Sequence, residues 1–139
     1  MEHRLAVKSA NEEFYDALEH YNLDLMRQLW LHAPWITCVH PGWEIRRGWQ
    51  QVEESWEAIF GSGTSLKIQI EDVEEHIHDN CAWVVCTEII SASMDRAFVR
   101  SRAISTNVFL KEKGQWYMVH HHASPAPEDQ VSVSTTTVQ

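Results

Sequence analysis

Three consecutive histidines stand near the end of the chain, in a run of aromatic and β-branched residues that spans 114–125. This composition, between a glycine turn and a proline, predicts a strand. Side chains alternate across a strand, so His120 and His122 are expected to share a face with Met118, while His121 points to the surface or an interface. Imidazole offers one donor and one acceptor and titrates near neutral pH. His120 and His122 are therefore candidates for proton transfer in a pocket, with structural hydrogen bonding as the alternative.

Two further ionisable residues lie where the sequence is otherwise apolar. Glu88 falls within the most apolar run of the chain, and a buried carboxylate must find a partner or shift its pKa. It is predicted to be a pocket acid, or else to pair with Arg100 or Arg102 across the sheet. His40 precedes Pro41 at the end of a short predicted strand. It is either a turn histidine bonded to backbone or a proton-transfer residue.

The elements that must position these residues follow from hydrophobic periodicity. Spacings of three and four predict helices over residues 4–21, from an Asn22 cap to residue 32, and from Gly48 to residue 60. Alternation then predicts strands over 35–40, 66–71, 81–91, 98–110 and the final run, with residues 93–97 as a loop. Helices followed by hairpin-linked strands predict an α+β fold, with the helices packed on one face of a curved antiparallel sheet.

Composition excludes several classes of function. The formal net charge of −9 disfavours binding to nucleic acid or to an anionic membrane surface. No apolar run approaches the roughly 20 residues of a membrane span, and no signal-peptide pattern opens the chain, so a cytoplasmic protein is expected. The three cysteines lie in apolar runs and are predicted to be buried free thiols.

Several short motifs together carry a resemblance to a known family. They are Val39-His40-Pro41-Gly42-Trp43, Gly48 with Trp56, Thr106-Asn107-Val108-Phe109, and Trp116 with the segment 119–125. With three helices before a long sheet, this pattern resembles a SnoaL-like domain of the nuclear transport factor 2-like (ketosteroid isomerase-like) superfamily. The resemblance covers residues 3–127 and leaves 128–139 as a tail that we expect to be flexible.

The resemblance implies a cone of curved sheet closed by three helices around a pocket, usually within a homodimer. Members include isomerases, cyclases, epoxide hydrolases, dehydratases and non-catalytic binding modules, so the reaction must be argued from the site. By matching positions, it points to His40, Trp43, Trp56, Asn107, His120 and His122 as site residues, and Glu88, Tyr15 and Trp30 are added from their own sequence context. The catalytic candidates are His40, His122 and Glu88, and the ligand contacts are Trp43, Trp56, Asn107, His120, Tyr15 and Trp30. For Tyr15 and Trp30 the alternative is packing in the core.

Three functions remain open at this stage. The first is an enzyme of isomerase, cyclase or hydratase type, in which His122 or His40 moves a proton on a small apolar or carbonyl-bearing molecule. The second is a non-catalytic dimeric module that binds a hydrophobic ligand or a protein partner. Dimerisation is expected because both faces of residues 81–91 are apolar and a sheet-to-sheet homodimer would cover the outer one. The third is a metal site built from His40, His120, His122 and Glu88, although their spacing matches no metal motif. The site prediction itself includes no metal and no cofactor.

Overall fold

The computed structural model describes residues 2–127, and the predicted tail at 128–139 lies outside them. Two helices precede two short strands, a third helix follows these strands, and four long strands complete the fold. The elements are α1 (Glu2–Glu19), α2 (Leu23–Leu29), β1 (Thr37–Val39), β2 (Arg46–Arg47), α3 (Gly48–Phe60), β3 (Ser65–His78), β4 (Cys81–Met94), β5 (Ala97–Glu112) and β6 (Gln115–Pro125). None of the helices in this described part is long and apolar enough to cross a membrane.

The six strands form one curved, unclosed sheet in the order β2-β1-β6-β5-β4-β3. Its strands are antiparallel neighbours except for β1 and β6, which pair in parallel, so the sheet is mixed rather than wholly antiparallel. The predicted α+β plan of helices packed on one side of a curved sheet is confirmed. The parallel pair brings the end of β1, and hence His40, beside the histidines of β6.

The concave side of the sheet is filled by large side chains from the helices and the strands. The largest fully buried ones include Trp30, Trp56, Phe14, Phe109 and Met26. Trp30 and Trp56 lie with their ring centroids 6.5 Å apart, and Phe14 meets Trp56 edge-on at 5.6 Å. Close packing of this kind contributes most of the free energy that stabilises a small domain.

The predicted N-cap of the second helix is formed as expected. The Asn22 side chain accepts a hydrogen bond from the Leu25 backbone N–H at 3.1 Å, which satisfies one of the free donors at the start of α2. Arg27, in the last turn of α2, donates to Glu53 of α3 at 2.6 Å and to Glu57 at 3.2 Å. These ion pairs fix the two helices against each other beside the open side of the sheet.

A β-bulge in the final strand reverses the predicted faces of its histidines. His120 lies opposite Val108 and Met118 lies opposite Phe109, so Val119 is an extra residue in β6. The bulge lets Met118 and His121 both face the core, where they are 0% and 3% exposed. The prediction that His120 and His122 share a face with Met118, and that His121 faces the surface, is therefore wrong.

Other differences concern the ends of strands. The strand predicted at 35–40 is shorter, and Trp35 before it is 57% exposed. The loop predicted at 93–97 is a tight turn, because β4 continues to Met94 and Asp95 takes a left-handed φ of 55°. β3 runs well past residue 71, through a bulge at Asp72 where φ is 54°. A left-handed turn residue lets a hairpin close in two residues, which hydrophobic periodicity does not reveal.

Candidate functional site

A chain of hydrogen bonds between buried side chains crosses the concave face of the sheet. His121 bonds through Nδ1 to Asn107 Oδ1 at 2.6 Å. The amide of Asn107 donates to Asn11 Oδ1 at 2.9 Å and to Tyr15 Oη at 3.1 Å. The Tyr15 hydroxyl donates to Glu88 Oε2 at 2.7 Å. Since the Asn107 amide oxygen can only accept, His121 carries its proton on Nδ1 and leaves the Nε2 lone pair free.

Glu88 ends this chain on the inner face of β4, where it is 3% exposed. Burial raises the pKa of its carboxyl group, and the hydroxyl groups of Tyr15 and Ser105 oppose that rise. The same environment raises the pKa of the Tyr15 phenol, first by burial and then by the negative charge of Glu88. The alternative ion pair with Arg100 or Arg102 does not form. Arg102 lies opposite Ile89, on the other face of the sheet from Glu88.

His40 is placed by a tight turn that its own sequence encodes. Pro41 and Gly42 occupy the turn, Gly42 has a φ of 81°, and the Trp43 N–H donates to the His40 carbonyl at 2.9 Å. A type II turn has a positive φ at its third position, which favours glycine, and commonly has proline at its second position. The turn folds Trp43 back onto His40, and the two rings meet edge-on with centroids 4.9 Å apart.

The protonation of His40 follows from its partners. Its Nε2 lies 2.8 Å from Ser55 Oγ, and the Ser55 hydroxyl donates to the Val52 carbonyl at 2.7 Å. Because that bond uses the only hydroxyl proton, Nε2–H of His40 donates and Nδ1 keeps its lone pair. Burial, followed by the positive charge of Arg46, lowers the pKa of His40 to about 4. His40 is thus a neutral imidazole at physiological pH, with a fixed tautomer.

The two buried imidazoles lie close together around Trp56. The ring centroids of His40 and His121 are 6.3 Å apart, and Trp56 meets His40 edge-on at 4.5 Å. Burial, and then the neighbouring His40, lower the pKa of His121 well below its ordinary value. The Trp56 indole N–H is buried and has no hydrogen-bond partner within residues 2–127. Two basic lone pairs and one unpaired donor therefore lie together on the concave side, an arrangement suited to moving a proton beside a polarised oxygen.

An open hollow of about 490 Å³ lies along residues 43–46, directly after the His40 turn, at what we term the mouth of the cone. It is lined by Trp43, Glu44, Ile45 and Arg46. Other hollows, of about 410, 330 and 290 Å³, are lined by residues away from the polar cluster. Trp43 lines this hollow and also meets the His40 ring edge-on, which links the hollow to the buried cluster.

The structure brings together most of the site residues that the sequence predicted. His40, Glu88, Tyr15, Asn107 and Trp56 are all buried on the concave side. Trp43 lies at the mouth, and Trp30 is part of the packed core with a buried, unpartnered indole N–H.

His120 and His122 do not join that set. They lie on the outer face of the sheet, where His122 is exposed and His120 hydrogen-bonds to Thr37 Oγ1 at 2.6 Å. The residues that sequence reasoning missed on the inner face are His121, Asn11, Ser55 and Ser105. Asn11 and Ser55 occupy buried helical stripes, and a polar residue in such a stripe is the signal that could have revealed them.

The ligand set of the metal hypothesis does not assemble. His40 and Glu88 face the concave side, whereas His120 and His122 face the opposite side of the sheet. Within residues 2–127, no group of three or more histidine, cysteine or acidic side chains is placed to hold a metal ion.

The fold agrees with what comparison with known proteins shows. The chain belongs to the family of the SnoaL-like domain, whose model matches residues 7–128. Among solved structures, a Streptomyces avermitilis protein of the NTF2-like family, provisionally named a dehydratase, is 29% identical with a TM-score of 0.83, covering 88% of this chain and 96% of that one. A Thiobacillus denitrificans protein, provisionally named a calcium/calmodulin-dependent protein kinase type II association domain, is 29% identical with a TM-score of 0.78, covering 86% and 94%.

A similar curated protein is the F-box protein SKIP8 of Arabidopsis thaliana. It is 30% identical over 119 residues, which is 86% of this chain and 49% of that protein. The chain therefore spans about half the length of this relative.

Proposed function

We propose that this protein is a small-molecule enzyme that moves a proton by histidine chemistry, in a reaction of the isomerase or dehydratase type. The observation that carries the proposal is the state of His40. Its Nε2–H is committed to Ser55, its Nδ1 lone pair is free, and its pKa of about 4 keeps it neutral at pH 7. A general base must be unprotonated and oriented, and His40 is both. Because the same burial makes it a weaker base than a free imidazole, stabilisation of the charge that develops on the substrate has to supply the rest of the rate.

The neighbours of His40 supply the remaining parts of such a site. A substrate held in the hollow against the Trp43 ring would reach Nδ1 of His40 past the edge of that ring. The unpaired Trp56 N–H would donate to the carbonyl oxygen of that substrate and stabilise the negative charge that develops when a proton leaves the adjacent carbon. The similar protein that is provisionally named a dehydratase supports this class of reaction.

The test uses a simple β-hydroxy ketone, 4-hydroxy-4-phenylbutan-2-one, in D₂O. Removal of a C3 proton by His40, followed by loss of the C4 hydroxyl as water, gives 4-phenylbut-3-en-2-one. Proton NMR follows exchange at C3, and ultraviolet absorbance follows the enone. We expect His40→Gln to reduce both rates by about 10²-fold or more, the usual contribution of a general base. His78, an exposed histidine on β3, provides the matched control His78→Gln. Equal rates for wild type and His40→Gln would refute the assignment.

A second candidate function is self-association through the outer face of the sheet. Trp83 and Ile104 are 37% and 48% exposed there, and Trp83 lies opposite Val108, which is half-buried. Large exposed apolar side chains on the uncovered face of a sheet favour an interface. The similarity to an association domain supports the same role, with a second copy of this chain as the partner.

Light scattering coupled to size-exclusion chromatography tests this candidate. We expect the wild type to elute as a dimer and Trp83→Glu or Ile104→Glu to elute as a monomer, because a charge would be buried at the interface. Leu5→Glu is the control, since Leu5 is 65% exposed on α1, away from the sheet. A wild-type monomer at high protein concentration would refute self-association without affecting the enzyme proposal.

A further inference from the structure

Arg46, like every other arginine and lysine except Arg27 in the part of the chain that the structure describes, has no carboxylate partner. Arg27, by comparison, contacts three carboxylates. The Arg46 guanidinium instead stacks over the Trp43 ring, with Cζ 5.0 Å from the ring centroid. Its Nε is buried and has no hydrogen-bond partner among residues 2–127. Arg102 Nε is in the same condition, but Arg46 adjoins an open hollow. An unsatisfied buried donor costs about 1–3 kcal/mol, so Arg46 favours an acceptor from outside the chain, either water or a ligand group in the hollow.

The register of the sheet places Arg46 on the side of the proposed site. Arg46 lies directly opposite Cys38 in the antiparallel pair of β1 and β2, and opposed residues share a face. Cys38 is fully buried on the concave side, with Sγ 3.7 Å from His40 Nε2. The positive charge of Arg46 also lowers the pKa of His40, after the larger effect of burial, and it opposes part of the rise that burial produces in the pKa of Cys38. Arg47, the next residue, is exposed and has the opposite orientation.

The hollow at the mouth of the cone therefore has one cationic wall and one aromatic wall. Arg46 and Trp43 form these walls, and Ile45 adds apolar surface. Glu44 lies on the rim and is exposed, where water screens its charge. A guanidinium binds a carboxylate through two parallel hydrogen bonds, and its stacking on an aromatic ring holds the planar group in place for that contact.

We propose that Arg46 is the binding residue for the carboxylate of a small aromatic or apolar organic acid, held in the hollow against Trp43. The inference rests on the proposed function and names its substrate class, because an acid anchored at Arg46 presents its carbon skeleton towards His40. The net charge of −9 opposes the approach of any anion. Its long-range effect is screened over about 8 Å at physiological salt, so the local guanidinium determines binding.

The experiment compares two probes of nearly equal shape, phenylacetate and phenylacetamide, by saturation-transfer NMR and isothermal titration calorimetry. We expect wild type to bind phenylacetate, and Arg46→Gln to weaken that affinity by about 10-fold or more, as loss of a charged, bidentate contact implies. Arg46→Lys keeps the charge but loses the planar pair of donors, so its affinity for phenylacetate should lie between those of wild type and Arg46→Gln. Arg47→Gln is the matched control and should bind as wild type. Circular dichroism checks that each variant is folded.

The outcomes separate this inference from the proposed function. Equal losses in Arg46→Gln and Arg47→Gln, equal affinity for the amide and the carboxylate, or no binding of phenylacetate to the wild type would each overturn the assignment of Arg46. Any of these results would leave proton transfer by His40 intact, since that test uses a neutral ketone. Conversely, phenylacetate binding that depends on Arg46 would stand even if His40→Gln left proton exchange unchanged.

Discussion

Replacing His40 by glutamine should remove a large part of the acid sensitivity of this fold. Burial lowers the pKa of His40 from its ordinary 6.5 to about 4, so the folded protein binds fewer protons than the unfolded chain between those values. The stabilisation is therefore complete above pH 6.5 and is lost as the pH falls towards 4. With these two pKa values, wild type should lose about 2 kcal/mol of unfolding free energy through His40 between pH 7 and pH 5, and about 3 kcal/mol by pH 4.

Urea unfolding of wild type and His40→Gln at pH 7, 6 and 5 gives the loss of unfolding free energy with pH for each protein. The difference between the two losses is the contribution of His40. The subtraction cancels the contributions of the acidic residues that both proteins share. His78→Gln, at an exposed position, should show the pH dependence of wild type. The C2 proton of His40 should also show no titration in NMR spectra above about pH 5, given a pKa of about 4. If His40→Gln and wild type lose the same unfolding free energy between pH 7 and pH 5, the conclusion that His40 is buried as a neutral imidazole is wrong.

Three further changes test the surrounding structure. Tyr15→Phe should lower the free energy of unfolding in urea by about 2 kcal/mol, because it removes the phenol hydroxyl that donates to the buried Glu88 at 2.7 Å. A loss below about 0.5 kcal/mol would contradict that hydrogen bond. Gly42→Ala should cost about 1–2 kcal/mol, since alanine is strained at a φ of 81°, and an unchanged urea midpoint would argue against the turn. A thiol reagent should modify half-buried Cys81 in the folded protein but reach Cys38 and Cys86 only on unfolding, because burial hides both thiols and raises the pKa of each. Mass spectrometry of the labelled peptides measures this, and labelling of Cys38 or Cys86 in the folded protein would contradict the prediction.

Much of the architecture could be predicted from local patterns. The stripe of Phe14 and Leu18 predicted α1, the Asn22 cap predicted the start of α2, and the Gly61 stop predicted the end of α3. The sequence around Pro41 likewise predicted that the chain turns directly after His40. Each of these features depends on residues within a few positions of one another, which is the range over which capping, turn geometry and helical spacing act.

The buried polar chain could be predicted only in part. Glu88 was recognisable as a carboxylate in an apolar strand, and Asn107 matched a family motif. Tyr15, the hydrogen-bond partner of Glu88, comes from α1 and is 73 residues away in sequence. Nothing local indicates which of several donors will reach a buried carboxylate, because that depends on where the helix crosses the sheet.

By itself, the sequence determined the family, the order of helices and strands, and the residue types that can transfer protons, because these depend on local periodicity and on motifs. Tertiary structure alone decided which histidine enters the cone. The extra residue at Val119 shifts the alternation of side chains between the two faces by one residue, so His121 rather than His122 faces Asn107. The physical reason is that a strand alternates with a period of two, and a single bulge, imposed by pairing with β5, moves every later side chain to the opposite face.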